Sequence, residues 1–300
     1  MLNFVKIFNK IYISRFDLSN LPFIENIFKS NEVIENIIKT HGGFALFSEK
    51  NIYKITYNKN ISHLYNNQLK FSQKVNKKYL INTESIHLSN NILITKEEKK
   101  DTLLDENLSF DNIFNLYRIV TKDFIVTEII DKERFVQCNF SLLKNNKYKS
   151  KIDELLFEIN SEVHLSLIHG DFWKDNILQT KENIYFIDYD RSSEYSFLEF
   201  DLINYFVFTK VYNEDKPSWS TFIKIIKELM KHDNIYIKLV SFIDKFYTMA
   251  NIQNPNKLYT DQIIKLYIIR ILYVNNSFLE GISYLKWYRH CKGIEKLLWY

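Results

Sequence analysis

Apolar residues change their spacing along the chain, and each change marks a different kind of element. The first 40 residues open on an extended apolar run. Phe23, Ile27 and Phe28, then Val33, Ile34, Ile37 and Ile38, follow at helical spacing. His41-Gly42-Gly43 ends that predicted helix, since glycine suits a C-terminal cap. Two short aromatic and β-branched runs come next, Phe44–Ser48 and Ile52–Tyr57, separated by Glu49-Lys50-Asn51. This texture predicts a β-hairpin. Ile61, Leu64, Tyr65, Leu69, Phe71 and Val75 predict a helix over 61–76, and Tyr79–Leu88 and Ile92–Thr95 predict two more strands.

The second half reads differently. Phe124–Thr127 and Leu167–His169 are strand-like, with a helix through Leu155, Leu156, Ile159 and Val163 between them. Ile177–Leu178 and Ile184–Ile187 form a predicted hairpin around Lys181-Glu182-Asn183. From residue 197 helical stripes dominate: Phe222, Ile225, Ile226 and Leu229; Leu239, Phe242, Ile243 and Phe246; Ile264, Tyr267, Ile268, Ile271 and Leu272. The expected organisation is a β-rich unit over residues 1–130 and a larger, mainly helical unit over 131–300, an α+β chain. Two such units invite a cleft, a common place for ligands.

Composition narrows the function classes. The chain has 300 residues with 46% hydrophobic and 25% charged positions and a net charge of +4, which excludes disorder. Two cysteines, Cys138 and Cys291, exclude a disulfide scaffold, and no Cys/His cluster suggests structural zinc. No apolar run is long enough to span a bilayer, and the start of the chain lacks the layout of a signal peptide, so a mature cytoplasmic protein is expected. Residues 191–300 hold 15 Lys and Arg against 11 Asp and Glu, so they carry the whole excess charge. That is far from a nucleic-acid stripe, so no nucleic-acid partner is expected. The positive balance also weighs against a polycationic substrate.

The candidate chemistry lies in one segment. A strand ends in His169-Gly170-Asp171, four residues separate Asp171 from Asn176, and the predicted hairpin returns the chain to Asp188 in Ile187-Asp188-Tyr189-Asp190. This spacing lets one carboxylate, one amide and a second carboxylate converge. Phosphoryl transfer uses such a set: one carboxylate takes the acceptor proton, while an amide oxygen and a second carboxylate hold Mg²⁺ against phosphates.

These residues resemble the core of the aminoglycoside phosphotransferase and choline kinase superfamily, which has the protein-kinase-like fold. Its His-Gly-Asp-x-x-x-x-Asn loop is a variant of the kinase loop. Ile-Asp-Tyr-Asp resembles the family's Ile-Asp-Trp-Glu, and Asp201-Leu202 fits the Asp-Leu that often follows. The resemblance covers residues 165–203. It implies a bilobal kinase-like fold, Asp171 as catalytic base, Asn176 and Asp188 as Mg²⁺ ligands, and ATP as phosphoryl donor. By the same resemblance His169 buttresses the loop, Asp190 lines the acceptor side and Asp201 ties a helix to the catalytic loop.

Gly170 has a backbone reason, a tight turn that presents Asp171. Gly42 and Gly43 are candidates for close approach to phosphate, or mark only the helix stop. Lys54 is the candidate for the nucleotide lysine, with Lys96 as competitor. The family pairs this lysine with a helix glutamate, yet the matching helix offers Gln68. Trp173 has two readings, stacking on an acceptor ring or packing under the loop, and Lys174 pairs with a phosphate or stays solvated. The preferred function is an ATP- and Mg²⁺-dependent kinase acting on a small-molecule hydroxyl, with a sugar or glycan precursor as acceptor. A non-catalytic pseudokinase scaffold and a choline or aminoglycoside kinase are the alternatives. A two-metal nuclease or phosphatase lacks the further clustered carboxylates it would need.

Overall fold

The computed structural model describes residues 34–39, 43–57, 61–88, 92–100, 110–141, 143, 146–180, 184–213, 218–278, 294 and 298. They fall into two compact units. One holds the described residues up to 65 together with 81–100, and the other holds 66–80 and those from 110 onward.

The first unit is one antiparallel sheet of β1 (Ile34–Lys39), β2 (Gly43–Ser48), β3 (Asn51–Tyr57), β4 (Thr83–Leu88) and β5 (Ile92–Glu98), in the order β1-β2-β3-β5-β4. The central strand is therefore β3. The predicted hairpin is β2–β3. Its turn is closed by Ser48, whose Oγ accepts from the Asn51 N–H at 2.9 Å and donates to the Asn51 carbonyl at 3.1 Å. Tyr53, Ile55 and Ile94 are buried.

The helix expected through Ile38 is corrected here, because Ile34–Lys39 forms strand β1. Its pairing with β2 shifts register between Ile34 and Asn36. A bulge inserts one extra residue and breaks the two-residue alternation of a regular strand, which leaves the apolar spacing helix-like. Phe23, Ile27, Phe28, Val33, His41 and Gly42 lie outside the described residues. The strand expected from Tyr79 begins later. Residues Lys77–Tyr79 form a 3₁₀ turn capped by the Asn76 side chain, and β4 starts at Thr83.

A helix, α1 (Ile61–Lys74), follows β3, and its Phe71 joins the core of the second unit. That unit runs α2 (Phe110–Thr121), β6 (Val126–Glu128), α3 (Lys132–Phe140), α4 (Asn146–Glu158), β7 (Val163–Ile168), β8 (Ile177–Gln179), β9 (Ile184–Phe186) and β10 (Ser193–Ser196). It ends with α5 (Glu199–Tyr212), α6 (Trp219–Met230), α7 (Asn234–Ala250) and α8 (Thr260–Phe278). The three predicted stripes are the core faces of α6, α7 and α8. β7 is buried along its whole length between β6 and β10, and β8 pairs with β9 as the expected hairpin. Phe114, Phe135, Phe172 and Phe197 are each at most 1% exposed, and each such burial is worth roughly 2 kcal/mol. The fold is α+β, sheet-rich at the N-terminal side and helical at the C-terminal side. Among the described residues no helix is long and apolar enough to cross a membrane.

Candidate active site

The loop that follows β7 leaves the strand inside the core, so its first residue, His169, is buried. Gly170 then turns at φ 84°, in the region that disfavours side chains. A Cβ there would lie 1.9 Å from the Arg191 carbonyl oxygen. Buried backbone groups need partners, and here side chains supply them. The Asp201 carboxylate on α5 accepts from the His169 N–H at 2.6 Å, from the Gly170 N–H at 2.8 Å and from the Tyr117 hydroxyl. One turn along, Asn204 Nδ2 donates to the Phe172 carbonyl at 3.1 Å. Arg270 of α8 donates through Nη1 to the Gly170 carbonyl at 3.2 Å and through Nη2 to the Arg191 carbonyl at 2.6 Å. Asp201 thus ties its helix to the loop, as the resemblance implied.

Charge placement follows from this burial. Burial pushes the Asp201 carboxyl above the usual carboxylate range, against the pull of His169 and of its own donors. Burial pulls the His169 imidazole below its usual range, although Asp201 and Asp171 favour its charge. Both ring hydrogen bonds suit the neutral form. Its Nε2 lies 2.8 Å from the Ile187 carbonyl, which can only accept, so the proton sits on Nε2. Nδ1 then accepts the Asp171 N–H at 3.3 Å.

The residues singled out from the sequence take the following positions. Asp171 follows the Gly170 turn with its side chain 23% exposed, ion-paired with Arg191 at 3.5 Å. Asn176 is buried and its Nδ2 donates to the Asp171 carbonyl at 2.7 Å. The Ile187 N–H donates to the Asn176 carbonyl at 3.0 Å, so the hairpin end and the loop are stitched together at Ile187. Asp188, the next residue, adopts left-handed backbone angles, φ 57° and ψ 42°. Among non-glycine residues Asp tolerates this region better than most, and such strain concentrates at functional positions.

A divalent cation fits this donor set. With Asn176 Nδ2 spent on the Asp171 carbonyl, Oδ1 is the atom left to meet a metal, and Asp188 offers a carboxylate. Among the described residues no group of three or more His, Cys, Asp or Glu is arranged to hold a metal, but Mg²⁺ keeps several waters and needs only one or two carboxylates from protein.

Lys54 lies on the central strand β3, and its Nζ is 3.0 Å from the buried carboxylate of Glu97 on β5. The absence of a glutamate at Gln68 therefore does not deprive Lys54 of a carboxylate. The register sets Lys54 opposite Thr95 and Tyr53 opposite Lys96. Lys54 and its competitor Lys96 consequently sit on opposite faces of the sheet. At Gly43 a Cβ would lie 1.7 Å from the Ile55 carbonyl oxygen. The close approach of β2 to β3 is thus already a reason for glycine there. Gly42 lies outside the described residues.

Arg191 and Glu97 are among the residues that the sequence reading did not single out. Arg191 carries a guanidinium whose charge burial opposes, yet Asp171, Asp190 and Asp188 together hold its pKa above the usual value. Its signal was a lone cation closing an acidic turn, Asp188-Tyr189-Asp190. Glu97 was passed over because the carboxylate was sought on a helix. Its signal was the two-residue alternation that puts it on the same sheet face as Thr95.

Comparison with known proteins bears on the fold. A family model for the RIO domain, itself protein-kinase-like, matches residues 117–214. No curated protein matches the sequence. An amicoumacin kinase, hAmiN, solved with AMP-PNP, Ca²⁺ and Ami, aligns with a TM-score of 0.50 at 14% identity, over 99% of this chain and 96% of that one. A thermostable mutant of aminoglycoside phosphotransferase APH(4)-Ia with ADP and hygromycin B gives 0.45 at 10% identity, over 93% and 98%. A glucosamine kinase with glucosamine, ADP and inorganic phosphate gives 0.39 at 10% identity, over 88% and 76%. The sheet order, the buttressed loop and the alignment with hAmiN converge on one conclusion: this chain has a protein-kinase-like fold.

Proposed function

We propose that this protein is an ATP- and Mg²⁺-dependent phosphotransferase acting on a hydroxyl of a small molecule, with a sugar or glycan precursor as acceptor. The observation that carries the reading is the catalytic loop itself. Asp201, Asn204 and Arg270 fix its backbone, while the Asp171 carboxylate stays partly exposed beside Arg191. The likeness to hAmiN, solved with AMP-PNP and a small molecule, supports a nucleotide and a small acceptor.

In this reading Asp171 accepts the proton of the acceptor hydroxyl as its oxygen bonds to the γ-phosphorus. The bond from that phosphorus to the β,γ-bridging oxygen breaks, and ADP leaves with the electron pair. Arg191 holds the Asp171 carboxylate in one orientation. Lys54, aligned by Glu97, meets the phosphates. Asn176 and Asp188 would hold Mg²⁺, which would neutralise charge on the phosphates.

ADP release with ATP, Mg²⁺ and a panel of sugars, choline and aminoglycosides tests this. Wild type should turn over a sugar, and Asp171→Asn should lower the rate about 10²–10⁴-fold while still binding AMP-PNP. A wild type that binds no AMP-PNP would be a scaffold. Choline or an aminoglycoside as the sole substrate would overturn the acceptor class.

A further inference from the structure

One face of α5 does two jobs. Asp201, Asn204, Phe208 and Tyr212 follow one another at i, i+3, i+7 and i+11, the spacing of a single helical stripe. The first two hold the catalytic-loop backbone. The last two meet Trp173, two residues beyond Asp171. Trp173 stacks on Tyr212 with ring centroids 4.9 Å apart and planes at 23°, and it lies 5.7 Å from Phe208. Phe208 in turn packs on Phe222 of α6 at 5.7 Å, so the stack is braced from behind.

This stack is not spent on the core. Tyr212 remains 41% exposed and Trp173 is only partly buried. Large exposed aromatics beside a reactive carboxylate suit a ligand that offers an apolar face and a polar rim. Burial, and then the charges of Asp175 and Asp171, push the Tyr212 phenol up, which is consistent with both carboxylates facing the stack. One further contact limits the ligand. The Lys174 ammonium lies 5.8 Å from the Tyr212 ring centroid, within cation–π range. A cationic acceptor on this ring would meet a like charge already in place.

We propose that Trp173 and Tyr212 form the acceptor platform and that it takes a neutral pyranose ring, with Lys174 selecting against cationic sugars. A pyranose lays its C–H face on the outward face of Tyr212, which Trp173 braces from the other side, and turns its hydroxyls to Asp175 and Asp171. This inference rests on the phosphotransferase reading and deepens it by naming the acceptor class and the residues that choose it.

The test uses two sugars with the same ring and different charge, N-acetylglucosamine and glucosamine, with the full chain, ATP and Mg²⁺. Wild type should use N-acetylglucosamine with a KM at least tenfold below that for glucosamine. Lys174→Glu should narrow or invert that ratio by about tenfold. Tyr212→Ala should raise the KM for N-acetylglucosamine about tenfold with a smaller change in kcat, and Tyr212→Phe, which keeps the ring, should restore it. If Tyr212→Ala does not fold, Lys174→Glu, a change at an exposed side chain, reads the same discrimination. Glucosamine preferred by wild type, a KM unmoved in Tyr212→Ala, or no use of either sugar while AMP-PNP binds would overturn the platform and leave the kinase reading standing. Failure of wild type to bind AMP-PNP would instead remove the phosphotransferase reading itself.

Discussion

The loop after β7 and the Lys54 strand solve the problem of holding a charged group by opposite means. In the second unit, side chains from elsewhere in the sequence reach in to hold a loop backbone. Asp201 and Asn204 come from α5 and Arg270 from α8, and between them they engage backbone groups of His169, Gly170, Phe172 and Arg191. In the first unit, the sheet's own backbone ladder holds β3, and a cross-strand carboxylate, Glu97, meets Lys54. A loop has no ladder of its own, so its precision comes from buried polar side chains that tolerate little change. A central strand is fixed by its neighbours, so its functional pair can vary in origin.

That contrast orders the expected effects. The largest belongs to the loop. Gly170→Ala forces a Cβ against the Arg191 carbonyl at a positive φ, and Asp201→Ala leaves the His169 and Gly170 N–H groups and the Tyr117 hydroxyl without their acceptor. Each should cost about 3–5 kcal/mol of stability in urea unfolding. A loss below about 1 kcal/mol for both would mean that the loop does not depend on its struts.

The sheet should be more forgiving. Glu97→Gln keeps the shape but removes the charge beside Lys54, so AMP-PNP affinity should fall about fivefold with the fold intact. A gain in affinity would show that Glu97 competes with phosphate rather than aligning Lys54.

The smallest effect is a titration. Burial lowers the His169 pKa, so the folded ring resists a proton that the unfolded chain accepts below about 6.5. The unfolded state then binds more protons, and this term lowers stability as pH falls through that window. The raised carboxyl of Asp201 acts in the opposite sense, so the His169 term is isolated by difference from His169→Gln. Nitrogen NMR at pH 7 should find the wild-type His169 ring neutral with its proton on Nε2, and a doubly protonated ring would contradict the assignment.

The same contrast explains what could be read from residues alone. His169, Gly170, Asp171, Asn176 and Asp188 lie within 20 residues, and their spacing survives in the sequence as a motif. Asp201 was legible because it falls just beyond. Arg270, a hundred residues from Gly170, was not, since only the packing of α8 brings it there. Glu97 is 43 residues from Lys54 and is joined to it by strand register, which apolar spacing does not encode. The β1 bulge shows the converse failure, where one extra residue made a strand read as a helix.

The most direct test of the account is anomalous diffraction from crystals grown with AMP-PNP and Mn²⁺ in place of Mg²⁺. The account predicts one metal peak bound by Asn176 Oδ1 and the Asp188 carboxylate and touching the nucleotide phosphates, with Asp171 beside the γ-phosphate. A nucleotide-bound metal held by other residues, or AMP-PNP bound with no metal at Asn176 and Asp188, would contradict it.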